Sequence, residues 1–320
     1  YLSRALPIMQ ATLGSQHFET RHAAGYLGAL RLRTGQFGSG QALMDQALAG
    51  QPPAHQLINV ARSLYADVLL DQGQLKRASE CLDAARADIA RNPGSKYPRI
   101  LLQEARLDAS QGRYDAAIKK LGELERSYTA DGKGQSALMA PVLQARFDAE
   151  FSLDRLVQAE ETLSRLRGLP EVEGSAFALN QASSQIRAAK LLLAQGRTDA
   201  AGKAYAELLG GLAAAHIETQ FPKLWSDALL GQADVLLRQG EGDGAMSRIQ
   251  SVVRFWEGRD QAGIWLAQAR LALANCLLRQ HKIEQARVSL EQAKREIDEQ
   301  GAGNAFAAQL DALMRLTKHG

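Results

Sequence analysis

Few residues in this chain of 320 amino acids have the types and spacing that chemistry needs. Two glycine clusters, Gly35-Gln36-Phe37-Gly38-Ser39-Gly40 and Gly240-Glu241-Gly242-Asp243-Gly244, have the density of a phosphate-binding loop. Neither follows a strand pattern nor supplies a Lys before Ser or Thr, so they read as turns. Asp131-Gly132-Lys133-Gly134 lacks the earlier glycine that such a loop needs and reads as a connection. The six histidines include no HExxH pair, and His17 and His22, five apart, fall on different faces of one helix. No Ser, His and acid set announces a nucleophile. The expectation is therefore no catalytic residue, no metal and no cofactor. Cys81 and Cys276 each lie inside a helical apolar pattern and give neither a disulfide framework nor metal-ligand spacing. Trp225, Trp256 and Trp265 cluster in sequence with Phe221 and Phe255. They read either as an exposed aromatic anchor for a partner or as packing between helices.

The elements that hold these residues are helices. Ala, Leu, Gln, Arg and Glu dominate, aromatics make up only 6%, and no proline-rich or low-complexity tract divides the chain. Thirty-eight Lys and Arg against 35 Asp and Glu leave a formal charge of +3, too small an excess to imply a nucleic-acid partner. No uncharged apolar run reaches the roughly 18 residues of a membrane span, and no signal-peptide pattern opens the chain. The expected location is cytoplasmic, or periplasmic if an upstream region carries a membrane helix. The first residues form an amphipathic helix without a capping residue, as would the second helix of a repeat that starts upstream.

The helical pattern breaks at Gly35, Gly73, Gly112, Ser152, Gly196, Gly240 and His281, at spacings of 38, 39, 40, 44, 44 and 41 residues. Four breaks share a Gln-Gly wording: Gln72-Gly73, Gln111-Gly112, Gln195-Gly196 and Gln239-Gly240. A small residue follows five places later at Gly40, Ala78, Ala117, Ala201, Ala245 and Ala286, with Ala159 two places late. Another precedes by seven at Gly28, Ala66, Ala105, Ala145, Ala189, Ala233 and Ala274. Paired small residues let two antiparallel helices approach closely.

This pattern resembles the tetratricopeptide repeat, in the longer kinesin-light-chain-like form found in bacterial regulatory proteins. The resemblance implies an all-α, right-handed α-solenoid of about seven helix pairs. The repeats are expected at 17–50, 56–92, 97–130, 136–168, 176–216, 221–258 and 262–300, after a half repeat at 1–14 and before a capping helix at 302–317. Phe306, Leu310 and Leu313 give that last helix one apolar face, which a solenoid end needs.

By the same resemblance, first helices line a concave groove and the residue six before each turn points into it. The expected groove residues are Asp67, Arg106, Arg146, Lys190, Asp234 and Asn275, with Arg99 and Arg187 nearby. Arg106, Arg146 and Lys190 would form a basic strip for an acidic segment of a protein or peptide partner. The function implied is a protein-binding scaffold or sensor module of a larger bacterial regulator, such as one with a serine/threonine kinase domain. The alternative is the peptide or small-molecule receptor region of a transcriptional activator.

Overall fold

The computed structural model describes residues 1–33, 36–49, 56–91, 98–170, 175–214, 222–258 and 263–317. Sixteen α-helices and no strand occur among them. The opening helix α1 (Leu2–Leu13) is followed by seven antiparallel pairs: α2 (Phe18–Arg33) with α3 (Phe37–Leu48), α4 (Gln56–Asp71) with α5 (Leu75–Arg91), and α6 (Pro98–Ser110) with α7 (Tyr114–Ala130). Next come α8 (Ala140–Ser152) with α9 (Leu156–Arg167), α10 (Ser175–Ala194) with α11 (Thr198–Ala214), α12 (Pro222–Gln239) with α13 (Gly242–Glu257), and α14 (Gly263–Arg279) with α15 (Ile283–Glu299). Helix α16 (Gly303–Leu316) closes the stack.

One hydrogen-bond motif makes the turn inside each pair. Gln74 N–H donates to Leu69 C=O, Arg113 to Asp108, Arg197 to Leu192, Glu241 to Leu236 and Lys282 to Leu277, at 2.8 to 3.0 Å. This six-to-one bond needs a left-handed residue just before the donor. Gly73, Gly112, Gly196 and Gly240 supply it with φ between 71° and 83°. In the seventh pair His281 takes the conformation at φ 59°. Gly35, the break expected in the first pair, lies outside the described residues.

The fourth pair corrects the sequence register. Its left-handed residue is Asp154, φ 57°, with Arg155 N–H donating to Glu150 C=O. The turn is therefore two residues later than Ser152. Ala159 then falls five places after it, as in the other pairs, and is buried. The position seven before becomes Phe147 and not Ala145. Phe147 is buried and stacks on Phe151 with ring centroids 5.7 Å apart, filling space that alanine leaves narrow elsewhere.

The other small residues pack as expected: Ala66, Ala78, Ala105, Ala117, Ala189 and Ala201 have no exposed surface. Successive first helices pack directly on one another, whereas successive second helices are splayed apart, so the first helices form the inner side of the curve. Polar rungs stitch these inner helices at one end. Gln72 Nε2 donates to Leu32 C=O, Arg238 to Leu193 and Arg279 to Leu237, each a carbonyl in the last turn of a first helix. Helix α16 buries Leu310 and Leu313 and keeps Gln309, Asp311 and Arg315 in water.

The curve is tight enough for the chain to meet itself. Ile264 N–H, at the start of α14, donates to Gly73 C=O in the turn of the second pair at 3.0 Å. Gly112, in the turn of the third pair, lies so close to α16 that a Cβ there would sit 2.6 Å from Ala305 N. One hydrophobic cluster accordingly runs from Leu69 and Leu107 to Ile264, Leu271 and Leu310.

Candidate functional site: the inner channel

The inner channel is charged, and nearly every charge is answered. Arg106 on α6 bonds the carboxylates of both Asp67 and Asp71 on α4, the second at 2.7 Å. Arg187 on α10 pairs with Asp148 on α8 and lies over the Phe147 ring, 6.0 Å from its centroid. Lys223 pairs with Asp227 one turn along α12, and its ammonium stands 4.2 Å from the centre of the Trp265 ring on α14. Asp234 and Arg238 approach to 3.5 Å on α12. Lys190 is the exception: this half-buried ammonium has no hydrogen bond or ion pair among the described residues.

Lys190 still acts at longer range. Burial pushes the Lys223 ammonium below its ordinary value; the Asp227 carboxylate opposes this and the Lys190 charge reinforces it. Burial pushes the Asp227 carboxyl up, but Lys223, Lys190 and Arg187 outweigh it and hold the group below the usual carboxylate range. Tyr205 on α11 adds a buried phenol whose hydroxyl has no hydrogen-bond partner among the described residues. Burial raises its pKa, and the Asp227 and Asp234 carboxylates raise it further. The centre of the channel is thus a cation-rich patch of Arg187, Lys190 and Lys223 with two balancing carboxylates.

The structure redistributes the expected site. Asp67, Arg106, Lys190, Asp234 and Asn275 stand six residues before their turns, on the inner helices. Arg146 does not, because counting from Asp154 puts Asp148 at that position. Arg146 instead bonds Glu125 on α7 and Glu150, each at 2.8 Å, on the side of the second helices. The continuous strip of three cations is therefore not formed, and a carboxylate interrupts it. Arg99 is exposed at the start of α6, its charge felt by Tyr128 of α7. Among the aromatics, Trp256 is buried at 2% exposure and belongs to the core, so it is no exposed anchor. Trp225 is half-buried and packs on Phe255 at 4.8 Å. Trp265 is half-buried, and its indole N–H donates to Asp71 C=O at 2.7 Å. Phe221 lies outside the described residues.

Sequence reasoning missed Asp71, Asp148, Lys223, Asp227 and Tyr205. Asp148 follows once the turn is counted from Asp154, two residues after Ser152, because Asp tolerates the left-handed conformation. Lys223 and Asp227 are an i, i+4 pair that carries no mark of facing inward. Among the described residues no group of three or more His, Cys, Asp or Glu could hold a metal ion, and no helix is long and apolar enough to cross a membrane.

The fold is that of a tetratricopeptide-repeat solenoid. A tetratricopeptide repeat protein from Parabacteroides merdae aligns over 94% of this chain and 99% of its own, at 17% identity and a TM-score of 0.50. A Rap protein complexed with competence and sporulation factor aligns over 91% and 80%, at 10% identity and a TM-score of 0.62. NprR in complex with its cognate peptide NprX aligns over 93% and 83%, at 16% identity and a TM-score of 0.60. No protein-family model and no curated protein matches the sequence.

Proposed function

We propose that this solenoid is a protein-interaction module that holds an extended peptide or protein segment along its inner channel, with a ligand carboxylate at Lys190. The observation that carries the reading is the mismatch in the channel. Arg106, Arg187 and Lys223 already have carboxylates, while Lys190 keeps a half-buried positive charge without a partner. A carboxylate arriving there gains a charge-assisted bond in partly desolvated surroundings. The solved complexes of Rap with competence and sporulation factor and of NprR with its cognate peptide, both of this fold, support a peptide-binding role here. We place the module in a larger bacterial regulator; a kinase catalytic loop or a DNA-binding helix upstream would decide between signalling and transcription.

The test is selection of binders from a random peptide library with the purified chain. Enrichment in Asp, Glu or a free C-terminal carboxylate is expected. For a selected peptide, Lys190→Glu should raise Kd by about tenfold or more, while Lys119→Glu, at an exposed position of the second helix α7, changes it little. Enrichment of neutral or basic peptides, or unchanged binding by Lys190→Glu, would overturn the reading.

A further inference from the structure

We propose that the chain is a self-closing coil: the turn of the second helix pair and the start of α14 form a clasp, coupled to the channel charges through Asp71 and Trp265. This inference stands on the geometry of the clasp and is independent of any ligand.

Three observations make the contact a built one. It is directional, because the Ile264 N–H lies in the first turn of α14, where no acceptor exists within the helix, and it is satisfied by Gly73 C=O. It is close: a Cβ on Gly73 would come within 2.6 Å of Ile264 Cγ2, and one on Gly263 within 2.5 Å of Gly73 O. Only glycine fits on either side. It is also dry, since Gly73, Gln74 and Leu75 are buried together with Ile264, which is 1% exposed.

Coupling to the channel runs through two residues that each serve both places. Asp71 gives its carboxylate to Arg106 inside the channel and its carbonyl to the Trp265 indole in the clasp. Trp265 gives its indole N–H to that carbonyl and its ring face to Lys223. Lys223 in turn is held by Asp227 beside Lys190. Closing the coil fixes Trp265 and thereby orders Lys223. By linkage, any group that engages Lys223 shifts the closure, and closure shifts its binding equally. The channel and the clasp are two faces of one equilibrium.

The Gln-Gly turns provide a matched test in the whole chain. Gly73 and Gly196 share the wording and the conformation, φ 71° and 76°, but a Cβ on Gly196 meets nothing within 4 Å. Gly73→Val and Gly196→Val therefore impose the same backbone strain, and only the first breaks the clasp. Gly73→Val is expected to enlarge the maximum dimension in small-angle scattering and to expose the Ile264 amide to rapid hydrogen exchange. Gly196→Val is expected to do neither. Equal behaviour of the two variants would refute the clasp. For the coupling, Lys223→Gln should speed exchange at Ile264 by about three- to tenfold, the size of a lost cation–π contact, and Lys223→Arg should restore it. Unchanged exchange in Lys223→Gln would leave a clasp without coupling and so refute the proposal as stated.

Discussion

The phenol of Tyr205 fills the space that Gly231 leaves open: a Cβ on Gly231 would sit 2.4 Å from the Tyr205 hydroxyl and 2.2 Å from its ring. Tyr205 comes from the second helix of the fifth pair and Gly231 from the first helix of the sixth, so this contact sets how closely two repeats stack. Gly231→Ala is therefore expected to destabilise the fold by about 1–3 kcal/mol through overpacking, although alanine is the better helix former. Gly210→Ala is the counterpart, since nothing lies within 4 Å of its Cβ. It should stabilise by about 0.5–1 kcal/mol. Chemical denaturation of both variants reads the difference in sign.

The two turns without glycine give a second expectation. Asp154 and His281 hold left-handed backbones that L side chains adopt at a cost. Asp154→Gly and His281→Gly should each raise stability by about 0.5–1 kcal/mol, whereas Gly196→Ala should lower it by about 1 kcal/mol. Shifts in Tm for the three variants check this.

Acid should unfold the chain partly through Glu125. Burial pushes its carboxyl up, but hydrogen bonds from Arg165 and Arg146 outweigh this and hold it below its ordinary value. A carboxyl depressed in the folded state adds stability above its unfolded pKa, roughly 4.3, and that stability is lost as pH falls through the folded value. Asp227 acts in the same sense. Urea midpoints measured from pH 7 to pH 3 should fall below about pH 4.5. The fall should be shallower in Glu125→Gln.

Cys81 should be chemically quiet. Burial pushes its thiol up to about 12, against which the Arg62 charge is too weak. At pH 8 its thiolate fraction is then very small, so iodoacetamide should label it slowly in the native chain and quickly in denaturant. Mass spectrometry of the alkylated protein follows both rates. Cys276, also raised by burial, should behave alike.

The repeat was legible in the sequence because its marks are local. Gln-Gly followed five residues later by Ala specifies a turn and a close helix contact within one hairpin. The fourth pair hides its register for a physical reason: its left-handed residue is an aspartate, which tolerates φ above zero without advertising it, so a count from Ser152 carries Arg146 into the channel. Lys190 is counted from a true glycine turn and lies six residues before Gly196 on α10. What no local pattern could give is any contact that depends on the pitch of the stack. Trp265 and Asp71 are separated by 194 residues, and their hydrogen bond follows from how far each hairpin rotates on the last. Trp256 was ambiguous for a related reason, since only neighbouring repeats decide whether an indole is covered.

The meeting of Gly73 with Ile264 also fixes the number of hairpins. An open stack tolerates the gain or loss of a hairpin, because each unit touches only its neighbours. Here one circuit must return the start of α14 to the carbonyl of Gly73, so every hairpin between them acts as a spacer of set height and angle. Deleting one would leave that amide facing the wrong place while each remaining hairpin stayed sound. The circumference of this molecule is a dimension under constraint, in the way a bore diameter is in a machined part.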